Sequence, residues 1–273
     1  MWNGRVGVWS RELRFSRDRG DARDAAAELE ELGYGALWIP DVGGDVFGAC
    51  QELLAATRSI RLLTGILNIW MHDARAVAAG SARLGERFTL GLGASHDAVV
   101  GERYARPLSA MRAYLDELDA LGAHTRLLAA LGPKMLELSR DRAAGAHPYL
   151  VTVEHTRTAR EILGPGRVLG VEQGVVLASD RGPARAHVAA YLELPNYVAN
   201  LRRLGFGDAD FADGGSDALV DALVAWGDEE AIAARVRAQL DAGADHVCIQ
   251  VIDAVDDMPP REAWRRLAPA VIV

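Results

Sequence analysis

The amino-acid sequence predicts an α/β protein built as a (β/α)8 TIM barrel, and three observations lead to that prediction. Eight short apolar runs recur along the 273 residues, with amphipathic helical patterns between them. Successive runs mostly lie about 20 to 37 residues apart, which is the size of a βα unit. Most runs do not alternate apolar and polar residues, so both faces of each strand are buried, as in a parallel sheet covered by helices. A doubly wound sheet is the alternative, but it normally has fewer strands and a recognisable nucleotide-binding first turn.

The predicted strands and helices follow one another in order along the chain. The strands are residues 5–9, 35–39, 60–66, 88–93, 125–131, 147–151, 167–177 and 246–252, and clear helical patterns cover 21–33, 73–86, 133–145 and 228–243. A helical excursion over about 178–243 separates the seventh strand from the eighth, and it forms either packing bulk or a wall of the active site. Within it, Pro195 is expected to kink or end a helix, and Ser216 or Asp217 to cap another. We expect one domain over residues 1–273.

Composition excludes several classes of function. The net charge of -8 and the absence of a basic stripe argue against nucleic acid as the main partner. Cys50 and Cys248 stand alone, without metal-ligand spacing, which favours core positions in a reducing compartment over disulfides or a metal site. No apolar run approaches 18 residues, so neither a membrane span nor a membrane partner is predicted. These features predict a cytoplasmic protein that acts on a small molecule.

Candidate acid–base groups follow the predicted strands, at the end of a barrel where active sites are built. Asp41 follows the second strand, and histidines follow the third, fourth and sixth strands as His72, His96 and His155. Any one of these imidazoles is more simply explained as a polar residue at the start of a helix. Several of them at one rim would suit acid–base chemistry near neutral pH.

The stretch LAALGPKMLEL after the fifth strand predicts an anion site. Gly132 precedes Pro133, which is suited to the first helical turn, and Lys134 adds a cation beside the free N–H groups of a helix N-terminus. An ordinary connection with proline at the first helical position would give the same pattern. GLGASH, residues 91–96, has two glycines but lacks the third glycine of a dinucleotide fingerprint.

The third strand ends unusually, in TGILNIW, where a glycine near its C-terminal end is followed by polar and aromatic residues. With this stretch, the chain resembles the bacterial luciferase-like oxidoreductases, and in particular their coenzyme F420-dependent branch. The motifs that carry the resemblance run in order through almost the whole length: GYGALWIPDVGG, TGILNIW, RFTLGLGASH, AALGPKMLEL, GAHPYLVTVEHT, LPNYVANLRRLGF, GGSDALVDALVAWGD and AGADHVCIQV.

The resemblance assigns cofactor-binding positions. Members of this family often have a non-prolyl cis peptide at the end of the third strand, which backs the tricyclic ring of the cofactor, and Gly65 and Ile66 are the matching positions. Asn68 and Trp70 would then face the cofactor cleft. The cofactor side chain would be lined by Gly93, Ala94 and Ser95, and Gly132, Pro133 and Lys134 match the turn near its phosphate.

The resemblance also implies the chemistry. Asp41 matches an acidic residue near the cofactor, but the next position, a histidine in several relatives, is Val42. His96 is the general-acid candidate, and His72 and Tyr197 are assigned to the substrate pocket. The implied function is hydride transfer between the deazaflavin of F420 and a small organic substrate, by a homodimer. The alternatives are an FMN-dependent monooxygenase and a catalytically inactive barrel that serves as a binding subunit, which Val42 slightly favours.

Overall fold

The structure, a computed structural model, describes residues 4–16, 18–122, 125–252 and 258–272. Eight parallel strands of this part of the chain form a closed barrel, because the last strand pairs with both the first strand and the seventh. The barrel strands are β1 (Val6–Trp9), β2 (Ala36–Ile39), β3 (Arg61–Thr64), β5 (Phe88–Gly93), β6 (Arg126–Leu128), β7 (Gly145–Ala146), β8 (Val168–Val176) and β10 (His246–Val251). Two short strands extend the sheet: β4 (Leu67–Asn68) pairs with the end of β5, and β9 (Ala225–Trp226) with the end of β8. The predicted (β/α)8 barrel is confirmed.

Helices surround the barrel and connect its strands. They are α1 (Glu12–Phe15), α2 (Arg19–Glu31), α3 (Val46–Ala56), α4 (Ala74–Leu84), α5 (Asp97–Val100), α6 (Pro107–Ala120), α7 (Pro133–Arg142), α8 (Val153–Leu163), α9 (Gly182–Leu192), α10 (Pro195–Arg203), α11 (Asp208–Phe211), α12 (Asp217–Leu223), α13 (Glu229–Asp241) and α14 (Arg261–Val271). Several begin at a side-chain cap. Asp45, Asp73 and Asp228, for example, each accept a backbone N–H from the first turn of the helix that follows. These caps fix where the chain turns from each rim loop into its helix.

The prediction for the sixth strand was wrong. Residues 147–151 lie beyond β7, which is only the two residues Gly145–Ala146. Pro148 has no N–H to donate to a sheet, and Leu150 has the left-handed φ of 51°, so the chain leaves the sheet here. The run is apolar because it is buried under the helical insertion: Leu150 is only 2% exposed. Burial was predicted correctly from these residues, but strand conformation was not.

The barrel interior is filled by large rings. The Trp38 side chain is fully buried and stacks on His147, with 4.1 Å between the ring centroids. Glycines make room for such rings: a Cβ at Gly170 would lie 2.8 Å from the Trp38 ring. His246 and Glu172 also lie inside, both fully buried. The interior is therefore partly polar, while the layer between strands and helices is mainly apolar, with the buried side chains of Thr156, Gln173 and Gln239 hydrogen-bonded within it.

The predicted helical insertion between the seventh and eighth barrel strands is present. Helices α9 to α12 pack around a second apolar cluster, in which Val188, Leu201 and Leu219 meet Leu150 of the β7–α8 connection. Pro195 opens α10 at its first position, two residues after α9 has ended, and the Ser216 hydroxyl caps α12. The insertion thus rests on the C-terminal end of the barrel.

The remaining expectations from composition concern the two cysteines, metal sites and membrane spans. Cys50 and Cys248 are buried free thiols. No three histidine, cysteine or acidic side chains among the described residues are grouped as a metal site requires. None of the described helices has the length and apolarity needed to cross a membrane.

Candidate active site

The third barrel strand ends in a cis peptide bond between Gly65 and Ile66, where the resemblance placed one. The Gly65 carbonyl accepts a hydrogen bond from Trp9 Nε1 at 2.8 Å, and a Cβ at position 65 would lie 2.9 Å from that nitrogen. Glycine is therefore required here by the close approach of the indole. The Ile66 side chain in turn covers Gly93, where a Cβ would be 2.5 Å from Ile66 Cδ1. The ends of β1, β3 and β5 are thus closely packed at the rim.

Asp41 is the centre of a hydrogen-bond cluster at the end of β2. Its Oδ2 lies 2.8 Å from His72 Nε2 and accepts the Asn68 N–H at 3.2 Å, and Arg14 Nη1 is 3.5 Å from its Oδ1. The Asp41 side chain is completely buried, while Val42 next to it is 60% exposed. Asp41 therefore orients His72 at the rim. A cavity of about 260 Å³ lies on the far side of Arg14, between α2 and α3, and none of the predicted site residues lines it.

Asn68 and Trp70 connect the end of β3 to the end of β5. Asn68 is buried, and its Oδ1 accepts the Trp70 N–H at 3.0 Å. Trp70 Nε1 donates to the Ala94 carbonyl at 2.8 Å, and the indole is half-buried. The oxygen of the Asn68 carboxamide thus fixes the local turn, and the indole forms part of the rim surface.

His96 lies where β5 passes into α5. It follows Ser95, which has the left-handed φ of 57°, and its ring makes a hydrogen bond with Asn196 of the insertion. Its Nδ1 is buried without a hydrogen-bond partner among the described residues. Burial lowers the pKa of this imidazole, and the Asn196 contact opposes that shift only in part. His96 is therefore mainly neutral near pH 7, which suits accepting a proton better than carrying a positive charge.

Two cationic side chains flank the N-terminus of α7. Gly132 is its N-cap, Pro133 occupies the first helical position, and Lys134 is exposed. Arg203, from α10, places its Nη2 3.5 Å from the position of a Cβ at Gly132 and donates to Asn200 Oδ1 at 3.1 Å. Sequence analysis missed Arg203 because it lies 70 residues further along the chain than the turn it approaches, although LRRLGF was among the quoted motifs.

The insertion forms an aromatic wall beside the rim. Tyr197 is buried, with ring centroids 5.5 Å from His96 and 5.0 Å from Tyr191 of α9. Tyr149, from the β7–α8 connection, lies 5.3 Å from Tyr191 and 5.5 Å from the Trp9 ring. The insertion therefore packs as bulk on the barrel and also places aromatic rings beside the predicted site residue His96, and its role as a wall of the active site stays a prediction.

A hydrogen-bond chain crosses this wall. The Tyr191 hydroxyl donates to the Tyr149 hydroxyl at 3.0 Å, which donates to Gln250 Oε1 at 2.8 Å. His187 Nε2 is 3.5 Å from the same Tyr149 hydroxyl. The sequence signal for these residues was weak: His187 and Tyr191 are four residues apart, so they share one face of a helix.

Glu172 is a functional candidate that the sequence analysis missed, although a lone acidic residue in a buried strand was a clear signal. It interrupts a strand that is otherwise buried and apolar, and its side chain is fully buried inside the barrel. Its Oε2 accepts the Leu150 N–H at 2.8 Å, whereas Oε1 has no partner among the described residues. Burial raises the pKa of this carboxyl group to about 8, against the opposing effect of the Leu150 hydrogen bond. Glu172 therefore holds a proton at neutral pH.

The third predicted rim histidine lies elsewhere. His155 is 3% exposed in the first turn of α8, and its Nε2 lies 2.9 Å from the Leu131 carbonyl. It supports the loop before Gly132 and does not line the rim surface. The remaining predicted positions follow one another around the rim: contacts connect Asp41 to His72 and Asn68, Trp70 to Ala94, His96 to Tyr197, and α10 to Gly132.

The closed parallel barrel has polar and aromatic residues at its C-terminal rim and a helical wall after its seventh strand, which is the arrangement that the luciferase-like resemblance implies. Residues 6–123 match the family model described as luciferase-like monooxygenase, so the resemblance is confirmed. A 5,10-methylenetetrahydromethanopterin reductase from Methanolobus tindarius is 26% identical over 280 residues, covering 80% of this chain and 86% of the relative.

Two solved structures share the fold over nearly the whole length. An F420-dependent secondary alcohol dehydrogenase, in complex with an F420-acetone adduct, has a TM-score of 0.74 at 12% identity and covers 99% of this chain and 100% of its own. The oxygenating constituent of 3,6-diketocamphane monooxygenase from the CAM plasmid of Pseudomonas putida, in complex with FMN, has a TM-score of 0.65 at 14% identity and covers 99% of each chain. At these identities the two structures establish a common fold.

Proposed function

We propose that this protein is an F420-dependent oxidoreductase that transfers a hydride between the deazaflavin and a small organic substrate. The observation that carries the proposal is the arrangement of the rim. A helix N-terminus flanked by Lys134 and Arg203 lies at one side of the α10 wall, and a hydrogen-bonded cluster around Asp41 with a close-packed, glycine-lined surface lies at the other. The likeness to an F420-dependent secondary alcohol dehydrogenase and to a methylenetetrahydromethanopterin reductase adds support.

The residues at the α7 end fit a phosphate group. The N–H of Lys134 in the first turn of α7 makes no backbone hydrogen bond among the described residues, while Met135 and Leu136 donate to the Gly132 carbonyl, and this turn is the positive end of a ten-residue helix dipole. Lys134 makes no hydrogen bond or ion pair within the described part of the chain, and the one hydrogen bond found for Arg203 there goes to a neutral carboxamide. Both cations are therefore available to an anion.

The residues at the other end fit a reacting group. When bound, the deazaflavin supplies the hydride chemistry, and the protein provides orientation and proton handling. The neutral His96, with its unpartnered buried Nδ1, accepts a proton from an alcohol in the oxidising direction and returns it in the reducing direction. Asp41 orients His72, so an imidazole stands beside Asp41 even though the adjacent position is Val42.

The FMN-dependent monooxygenase is the second candidate, supported by the description of the family model and by the FMN complex of one relative. The third candidate, an inactive barrel that serves as a binding subunit, is favoured only by Val42, whose side chain projects into solvent and moves no proton. A homodimer, which the family resemblance implies, and a cytoplasmic location, which the composition predicts, belong to the proposal.

The uniqueness of Lys134 gives a direct test at the phosphate end. It is the only lysine in the sequence, so an amine-reactive reagent modifies one side chain besides the chain's α-amino group. We expect F420 at saturating concentration to slow Lys134 modification at least tenfold, and FMN at the same concentration to slow it much less. Equal protection by both would favour the monooxygenase, and no protection by either would remove the phosphate assignment.

A matched pair of arginine variants tests the same site without chemical modification. Arg203→Ala should weaken F420 binding roughly 10- to 150-fold, because a charged hydrogen-bond donor contributes about 1.5–3 kcal/mol. Arg202→Ala is the control, since Arg202 is also exposed on α10 but pairs with Asp208 and lies over the Phe211 ring. If the two variants bind F420 alike, Arg203 is not a phosphate ligand.

A further inference from the structure

The three-residue turn Pro148–Leu150 enters the barrel mouth in an unfavourable backbone conformation. Leu150 has a φ of 51°, a left-handed conformation that residues with a Cβ rarely adopt and that is uncommon for a bulky side chain. The leucine is nevertheless buried, in the apolar cluster shared with Tyr197 and Leu201 of the insertion. Such a conformation persists only where surrounding contacts enforce it.

One residue supplies contacts on both sides of this turn. The backbone N–H of Glu172 donates to the Pro148 carbonyl at 3.0 Å, and the Glu172 Oε2 accepts the Leu150 N–H at 2.8 Å. Because Glu172 lies within the nine-residue strand β8, between the paired strands β7 and β10, its position is fixed by the barrel. The turn is therefore held at both ends from a rigid element.

Tyr149 is the central residue of the clamped turn. Its phenol accepts from Tyr191 and donates to Gln250, so it joins the insertion to β10 across the mouth. The ring also packs on Trp9, whose indole nitrogen bonds the Gly65 carbonyl. A change in the orientation of Tyr149 would therefore alter both the aromatic wall and the packing of Trp9, which hydrogen-bonds the Gly65 carbonyl.

We propose that Glu172 is a positioning residue of the active site: by clamping both sides of Tyr149 it holds the phenol chain from Tyr191 to Gln250 at the mouth, where the chain hydrogen-bonds an uncharged oxygen of the substrate. The clamp, meaning the two hydrogen bonds of Glu172 to Pro148 and Leu150, is observed within this chain. The role toward a substrate rests on the proposed function. Both phenol protons are donated within the chain, so the Gln250 Nε2 hydrogens are the donors left for a substrate hydroxyl or carbonyl oxygen, and the phenol oxygens can accept from a hydroxyl; this neutral set suits an uncharged oxygen better than an anion.

The charge state of Glu172 should act on the clamp. The titratable groups that face it are the phenols of Tyr149, Tyr191 and Tyr197 and the thiol of Cys248, whose pKa values are all raised, mainly by burial and further by Glu172. All four are neutral at pH 7, and no cation is found facing Glu172 within the described ranges. Deprotonation of Glu172 therefore places an uncompensated negative charge on the carboxylate whose Oε2 accepts the Leu150 N–H. The chemical shift of the Leu150 amide should respond to that charge.

The test is the amide resonance of Leu150 in protein labelled with ¹⁵N-leucine, measured without cofactor. In the wild type we expect this resonance to shift with pH through a single midpoint near pH 8. In Glu172→Gln the shift should disappear while hydrogen-exchange protection of the Leu150 amide stays within threefold of wild type, because the carboxamide oxygen still accepts. In Glu172→Leu the protection should fall at least tenfold.

Tyr149→Phe is the matched control, since it removes the phenol and leaves the clamp, so Leu150 protection should stay at the wild-type level. Full protection of the Leu150 amide in Glu172→Leu would overturn the proposal, as would a Leu150 resonance that does not respond to pH anywhere between 4 and 9. If Glu172→Leu does not fold, the titration in wild type and its loss in Glu172→Gln still decide. None of these measurements involves F420, so failure of the clamp is distinguishable from failure of the proposed function.

Discussion

Replacing Glu172 by glutamine should change how stability depends on pH, and the size of the change follows from its burial. Burial raises the pKa of Glu172 in the folded protein from its ordinary value of 4.5 to about 8. Because the folded state binds the proton more tightly, the stability that this proton contributes is fully present below pH 4.5 and is lost as the pH rises to about 8. Glutamine does not titrate, so the variant does not lose this contribution.

The magnitude follows from the linkage slope, which is about 1.4 kcal/mol per pH unit for one proton. Between pH 5.5 and 7.5 the free energy of unfolding of Glu172→Gln should therefore gain about 3 kcal/mol relative to wild type. For a chain of this length that is a relative rise in Tm of roughly 5 °C. The buried histidines titrate in both proteins and cancel in the difference.

The assay is urea unfolding of both proteins at four pH values from 5.5 to 7.5, followed by tryptophan fluorescence and circular dichroism. Thermal scans in the same buffers give the change in Tm independently. If the two stability curves run parallel over this range, Glu172 is ionised in the folded protein, and the reasoning from its burial is wrong. A constant offset between the curves would not matter, because it reports the change in packing.

Three further predictions concern the histidines and Lys134. Burial lowers the pKa values of His147 and His246 to about 4, so the stability that the two neutral imidazoles contribute is lost as the pH falls from about 6.5 towards 4. In urea titrations the free energy of unfolding of His147→Phe should therefore fall by about 2 kcal/mol less than that of wild type between pH 7 and 5. His96→Ala should reduce turnover by roughly 10²–10⁴ while cofactor affinity stays within threefold; full turnover would assign proton transfer elsewhere, with His72 the next candidate. Lys134→Ala should weaken cofactor binding by about 1–3 kcal/mol and leave turnover at saturating cofactor nearly unchanged. If the variant binds the cofactor as tightly as wild type, the turn at Gly132 is an ordinary strand-to-helix connection and not a phosphate site.

Much of the fold could be predicted from sequence because parallel barrels leave a strong pattern. Buried strands of two to nine residues recur with helices between them, and seven of the eight predicted strands overlap strands of the structure. The exception is instructive, because HPYLV is apolar for a tertiary reason. It is covered by an insertion whose helices lie 30 or more residues later in the chain, and no local pattern reports that.

The candidate site could be predicted only in part, for a similar reason. Residues that directly follow strands, such as Asp41, His72 and His96, are found by position alone, since the ends of parallel strands meet at one rim. Glu172 and Tyr149 depend on which strand face points inward and on a turn with a left-handed leucine. Arg203 reaches Gly132 only through the path of the insertion. These long-range placements carry no periodic signal in the sequence.

The central claim, that this barrel is built for F420, is tested most directly by titrating the purified protein with F420 and with FMN side by side. Fluorescence of the half-buried Trp70 at the rim provides the signal, and calorimetry provides a second measurement. We expect F420 to bind at least ten times more tightly than FMN, a difference of about 1.4 kcal/mol. Equal affinities, or FMN copurifying in stoichiometric amount, would contradict the claim in favour of a monooxygenase, and binding of neither would leave the inactive binding subunit.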